Sequence, residues 1–288
     1  MIIRQLSAVL AGTILAGGLV VGSSEDETRA IIHPDYPGVG KEFAKAREKT
    51  AIQTPVASPP EVPGPRYSYL GVTLWRDRPV RKSDPPFSRS IVYRPGSNAK
   101  VEVTPERILS STLLSPGDRL QITVESARAG YLYVVNREVY RDGTKGAPTL
   151  IFPHVKIAGG QNRVGPGIIT KIPEGSERLD IDPASGDLVS EELTFFITPQ
   201  PIQGMIASGE SLELDPAEIA KWEKEWKSVQ VAVDDNKGVG RTLTREEAAA
   251  RNDASMKMPG RAALPQTLFR VTSKDGAHVL VSMELKRR

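Results

Sequence analysis

The 288-residue chain is 39% hydrophobic and 25% charged, an ordinary composition for one or two globular domains. Its 38 Lys and Arg against 35 Asp and Glu leave a net charge of +3, too small to argue for a nucleic-acid partner even with an isoelectric point near 9.0. The absence of cysteine excludes disulfides, thiolate metal sites, a cysteine nucleophile and a lipidated N-terminal cysteine together.

The N-terminus, MIIRQLSAVLAGTILAGGLVVGSSEDETRA, sets one cation, Arg4, ahead of an uncharged run over residues 6–21 and small residues that suit a cut after Gly22 or Ser24. That is the pattern of a secretory signal. The run is short for a membrane span and is diluted by Gly12, Thr13, Gly17 and Gly18. Export to the periplasm or the extracellular space is therefore expected, with residues 1–22 removed and a nearly neutral mature chain. An uncleaved N-terminal anchor is the alternative, and the one membrane contact the sequence suggests.

Residues 23–65 read as a tether. KEFAKAREKTAIQ (residues 41–53) has helical composition but a weak apolar stripe, and TPVASPPEVPGP packs five prolines into residues 54–65, which cannot build a core and favour an extended spacer. A single β-rich domain is expected over residues 66–288.

From Arg66 onward the hydrophobic period is two. YSYLGVTLW carries Leu70, Val72 and Leu74 on one side and Tyr69, Thr73 and Trp75 on the other, so both faces are largely apolar and the strand should be internal. After the turn residues SPGD, RLQITVESA sets Leu120, Ile122 and Val124 inward and Arg119, Gln121, Thr123 and Glu125 outward. GYLYVVNREVY, with Gly130 permitting a close approach at its start, pairs through RDGTKGAP with TLIF as a hairpin ended by Pro153. NRVGPGIITKIPEG, RLDI and EELTFFITPQP supply further strands, the last with Leu193, Phe195 and Ile197 on one face. TLFRVTSKDGAHVLVSMELKRR reads as a final hairpin turned by Asp275-Gly276, with Val279, Val281, Met283 and Leu285 in alternation. Within residues 66–288, helical signals are confined to residues 215–254. DPAEIAKWEKEWKSV begins with an Asp215 cap and Pro216 and sets Ile219, Trp222, Trp226 and Val229 on one face; a second capping box, Thr244 to Glu247, opens a short alanine-rich helix. The expected fold is an all-β, sandwich-like arrangement of antiparallel strands with short helical insertions near the C-terminal third.

The segments LGVTLWRDRP, LSPGDRLQITVESARAGYLYVVNREVYRDGTKGAPTLIFP, GGQNRVGPG, KIPEG and ELTFFITPQPI, in this order, resemble the bacterial domain-of-unknown-function 4384 family over residues 69–202. The resemblance implies an extracytoplasmic or signalling-associated accessory domain and brings no catalytic residues with it.

Candidate chemistry is sparse. His33, His154 and His278 lack metal-ligand spacing, so loop-surface positions are expected for them. Asp180, Asp182 and Asp187 in DIDPASGD miss the EF-hand pattern, and RVGPG and KGVGR lack the strand and helix context of a nucleotide loop. There is no GxSxG elbow. No cofactor, metal or catalytic group is assigned. Trp222 and Trp226 are expected to pack on the sheet rather than form an exposed platform. The remaining candidate is WRDRPVRKSDPPFSR, read as an irregular loop beyond a strand ending at Trp75, where Arg76, Arg78, Arg81, Lys82 and Arg89 outnumber Asp77 and Asp84. A solvated irregular loop is the plain expectation for such a segment, and the alternative is a grip on an acidic envelope polymer or envelope protein. The expected function is a non-catalytic interaction or sensory accessory domain of the bacterial envelope, with an envelope-polymer hydrolase using unidentified carboxylates as the alternative.

Overall fold

The computed structural model describes residues 45, 47, 67–94, 99–155, 158–183, 186–207, 212–226, 228–253, 255–273 and 277–288. The leader, the tether apart from Lys45 and Arg47, and the Asp275-Gly276 turn lie outside the described residues. Two antiparallel sheets face one another. In the first, β1 (Tyr67–Pro79) is central: β4 (Arg119–Ser126) pairs with one edge, while β13 (Thr267–Ser273) and β3 (Lys100–Ile108) share the other. β12 (Ser228–Asp234) lies beyond β13, β2 (Ser90–Tyr93) beyond β3, and β8 (Ile169–Ile172) and β9 (Leu179–Asp180) beyond β4. The second sheet runs β11 (Leu212–Glu213), β6 (Thr149–Phe152), β5 (Gly130–Tyr140), β10 (Leu188–Thr198), β14 (Val279–Lys286), with β7 (Arg163–Val164) on the start of β5.

The period-two pattern explains the layers. Leu70, Val72, Leu74, Leu120, Ile122 and Val124 from the first sheet meet Leu132, Val134, Leu193, Phe195, Ile197 and Val281 from the second in one buried core. The opposite side of the second sheet carries Tyr133, Val135, Phe196 and Leu280, covered by α1 (Pro216–Glu225) through Ile219 and Trp222. Gly130 sits where β5 meets the end of β10: a Cβ there would lie 2.6 Å from the Ile197 side chain and 2.8 Å from the Thr198 carbonyl, so the close approach needs glycine.

Three expectations change. The C-terminal pair is not a hairpin: β13 joins β1 and β12 in the first sheet, whereas β14 joins β10 in the second. Phe269 and Val271 therefore face the core from one layer and Val279, Val281 and Met283 from the other, which buries the same apolar faces by crossing between sheets. The first of the two expected helices stops short of its expected face: α1 ends at Glu225 and Val229 lies 71% exposed in β12, a strand that separates α1 from α2 (Arg245–Asn252). Finally, β1 continues past Trp75 to Pro79, which places Arg76, Asp77 and Arg78 in the sheet rather than in a loop.

Candidate functional site: a basic loop tip and a covered charged face

The β1–β2 connection is organised by Asp84. Its carboxylate accepts both Nη1 and Nη2 of Arg78, each at 2.7 Å, the Arg81 backbone N–H at 2.7 Å and the Thr104 hydroxyl at 2.9 Å. Two-pronged guanidinium contacts of this kind fix orientation as well as charge. Across the strand pair, Glu106 accepts from Arg76 at 2.8 Å and from Arg78 at 3.1 Å, and Glu102 lies 3.6 Å from Arg89. Three of the five sequence-predicted cations are thus spent on internal ion pairs. Arg81 and Lys82 are exposed and have no ionic partner among the described residues. The sequence pointed to the cluster but not to its neutralisation, because Glu102 and Glu106 belong to β3, a strand whose KVEVTPERI pattern is too weakly apolar to announce itself.

The Arg78 guanidinium, the Arg81 N–H and the Thr104 hydroxyl hold the Asp84 carboxyl well below the usual carboxylate range. A depressed native pKa contributes stability that is present above the ordinary value and lost as pH falls through the native one. Asp84→Asn is therefore expected to be less stable than the wild type at pH 7, with the gap closing under acid; urea unfolding at stepped pH reads this, and a pH-independent gap would contradict it.

The outward side of the first sheet is covered. Facing away from the core, β1 presents Thr73, Trp75 and Asp77, β4 presents Gln121, Thr123 and Glu125, β3 presents Arg107 opposite Trp75, and β8 presents Lys171 opposite Thr123. Gln121, Thr123 and Glu125, expected to face outward, do face away from the core but are buried. Helix α2 and Arg47 lie over them. Arg47 donates to both oxygens of Glu125 and Arg107 to Glu247, while Arg178 donates its Nε–H to Asp77 at 2.8 Å. Glu247 serves twice, because its second oxygen accepts the Thr244 N–H in the capping box that starts α2. Trp75, 1% exposed, donates its indole N–H to Thr123 at 2.9 Å, and the guanidinium carbons of Arg107 and Arg251 lie 5.2 and 5.6 Å from its ring centroid. Burial raises the Asp77 and Glu125 carboxyls despite Arg178 and Arg47, and lowers Lys171. Arg251 is pulled down to about 9, by burial first and by the Arg178 charge second. Among the described residues, Arg47, Arg107, Arg119, Lys171, Arg178 and Arg251 share this layer with Asp77, Glu125, Asp180 and Glu247, and Glu174 lies close to Lys171.

Beside α1, an open groove of about 470 Å³ is bordered by Lys145, Glu192, Glu223, Lys224, Gln230 and Leu280. Arg137 donates to both Glu192 and Glu223, and Lys145 also pairs with Glu192. Gln230 reaches across from β12 and makes two hydrogen bonds to the Ser282 backbone, at 2.9 and 3.0 Å, closing the free edge of β14 at that point. Trp222 is buried and stacks on half-buried Trp226 at 5.3 Å, which stacks on His278 at 4.3 Å.

His154 is fully buried rather than on a loop surface, because the chain after β6 bridges to Ala207; His33 lies outside the described residues. Asp180 is taken by Arg119 at 2.9 Å, and Asp187 faces Arg141 at 3.6 Å. No group of three or more His, Asp or Glu among the described residues could hold a metal, and no helix among them is long and apolar enough to cross a membrane. Compared with known proteins, the chain matches no protein-family model, no curated protein and no solved structure.

Proposed function

We propose that the protein is an exported, non-catalytic accessory domain of the bacterial cell envelope that holds an acidic partner through the β1–β2 loop. The observation that carries this reading is the contrast within that loop: Arg76 and Arg78 are hydrogen-bonded in ion pairs and Arg89 lies 3.6 Å from Glu102, while Arg81 and Lys82 project into solvent from a turn caged by Asp84. Fixing the backbone beforehand lowers the entropic cost of an encounter. The leader and tether patterns and the family resemblance support the envelope setting. The hydrolase alternative would draw on Glu192 and Glu223 at the open groove, but both share Arg137, which ties them into a structural ion-pair network.

Immobilised polyglutamate and envelope extract, probed with wild type and with Arg81→Ser/Lys82→Ser, test the reading. The double variant is expected to bind several-fold more weakly at low salt, and the difference to vanish well above physiological strength, where charges are screened within about 8 Å. Arg78 is left intact, because removing it would also dismantle the Asp84 cage. Equal binding by both proteins would overturn the assignment.

A further inference from the structure

Trp75 and Asp77 are neighbours on the covered side of β1, about 6.6 Å apart along the strand, and each seats one guanidinium group. Arg251, 7% exposed, lies over Trp75; it makes no ion pair among the described residues, and its Nη1 is out of solvent with no hydrogen-bond partner. Glu247, four residues earlier on the same helix, is already held by Arg107 and the Thr244 N–H. Arg178, 3% exposed, uses Nε on Asp77 and Nη1 on the Glu177 carbonyl, while its buried Nη2 has no partner. Lys171 approaches from β8 and donates to the Arg251 carbonyl. On the acceptor side, Asp77 Oδ1 is also buried and unpaired.

A lone buried guanidinium such as that of Arg251 is costly, and the unpartnered donor that the Asp77-paired Arg178 keeps beside it adds to the cost. A water can pair such groups but brings no negative charge to Arg251, which makes no ion pair of its own among the described residues. An oxyanion answers both, and a protonated one answers a third feature: its ionised oxygens accept from Arg251 and Arg178 while its own O–H donates to Asp77 Oδ1. Sulfate, which carries no proton near neutrality, would instead bring its oxygens against that carboxylate. We propose that Arg178, Arg251 and Lys171, with Asp77 as acceptor, form a buried receptor for a hydrogenphosphate group. This site is on the opposite side of the first sheet from the inter-sheet core and is independent of the Arg81–Lys82 assignment.

Titration calorimetry of the mature protein with inorganic phosphate, at pH 7 and ionic strength matched with chloride, tests it. Saturable binding of one phosphate is expected, with sulfate at least tenfold weaker. Arg251→Met, which keeps the length of the side chain and removes the charge, should weaken phosphate at least tenfold, whereas Arg81→Ser/Lys82→Ser should leave it unchanged. Asp77→Asn should bring sulfate and phosphate closer together. Methyl phosphate, which keeps an O–H only as its monoanion, separates the sources when both ligands are titrated at pH 6: binding close to that of phosphate assigns the site to phosphomonoesters, exclusion assigns it to the free ion. Should Arg251→Met fail to fold, Lys171→Met and the wild-type titration still decide. Absence of saturable binding in the wild type, equal affinity for sulfate, or unchanged binding in the charge-removing variant would overturn the proposal.

Discussion

Arg287→Met is expected to cost about 3–5 kcal/mol at pH 8, the range for leaving a buried charge without its partner. Arg287 follows β14 and donates to Glu191 at 2.6 Å inside the sandwich, and their side chains are 2% and 3% exposed. Glu191 shares the inner face of β10 with Leu193 and Phe195, at the end of the core, where Asn136 of β5 donates to its other oxygen at 3.1 Å. Burial raises the Glu191 carboxyl, and Arg287 opposes that shift. Without Arg287 the carboxyl rises further. A carboxyl whose native pKa is raised favours the folded state most at low pH, and that advantage is lost as pH climbs from the ordinary value, about 4.3, through the native one. The deficit in Arg287→Met should therefore be smaller at pH 5 than at pH 8. Glu191→Gln/Arg287→Met, which leaves no buried charge and keeps an acceptor for Asn136, should recover most of the loss. Urea unfolding of the three proteins at both pH values gives the answer; a double variant as unstable as the single one would show that the pair is held for shape rather than charge.

Phe196→Ala is expected to cost a similar amount, about 3–5 kcal/mol, by opening a cavity between the second sheet and α1. Phe196 is fully buried and meets Trp222 and Trp226 edge-on, with ring centroids 6.1 and 5.9 Å away and interplanar angles of 76° and 77°. Edge-to-face pairs add to the area term, so the loss exceeds simple transfer of the ring to water. Because both indoles lie on α1 or its C-cap, the helix should loosen locally: tryptophan emission should shift to the red and near-ultraviolet dichroism should fall before the sheets unfold. A variant with wild-type emission and stability would mean that α1 is held by other contacts.

The parts of the fold that were legible in the sequence are those where one side of a strand meets the core. Leu120, Ile122 and Val124 alternate cleanly, as do Leu193, Phe195 and Ile197, and each set sits in the inter-sheet core. Alternation states which residues share a side and is silent on the partner strand, which is why β13 and β14 read as a hairpin although they belong to different sheets. It is equally silent on what covers the other side. Gln121, Thr123 and Glu125 have the polar pattern of a solvated face and are buried under Arg47 and α2, contacts that span 78 residues in the Arg47–Glu125 pair. Trp75 was the available hint, since an indole on the outward side of β1 requires a cover. Arg251 gave none: an arginine in an alanine-rich helix looks like a solvated end, and its burial follows from where α2 docks. At the basic loop, the cations were visible from composition, but which of them remain free depended on Glu102 and Glu106 arriving from β3.

The proposed role of Arg81 and Lys82 is contact with an acidic envelope partner. Its most direct test places a photo-crosslinking amino acid at position 82 in intact bacteria, with the same group at exposed Val229 on β12 as the control. An acidic envelope component should be captured from position 82 and be absent from position 229, and capture at position 82 should fall when Arg81→Ser is added. No capture at position 82, or the same products from both positions, would contradict it.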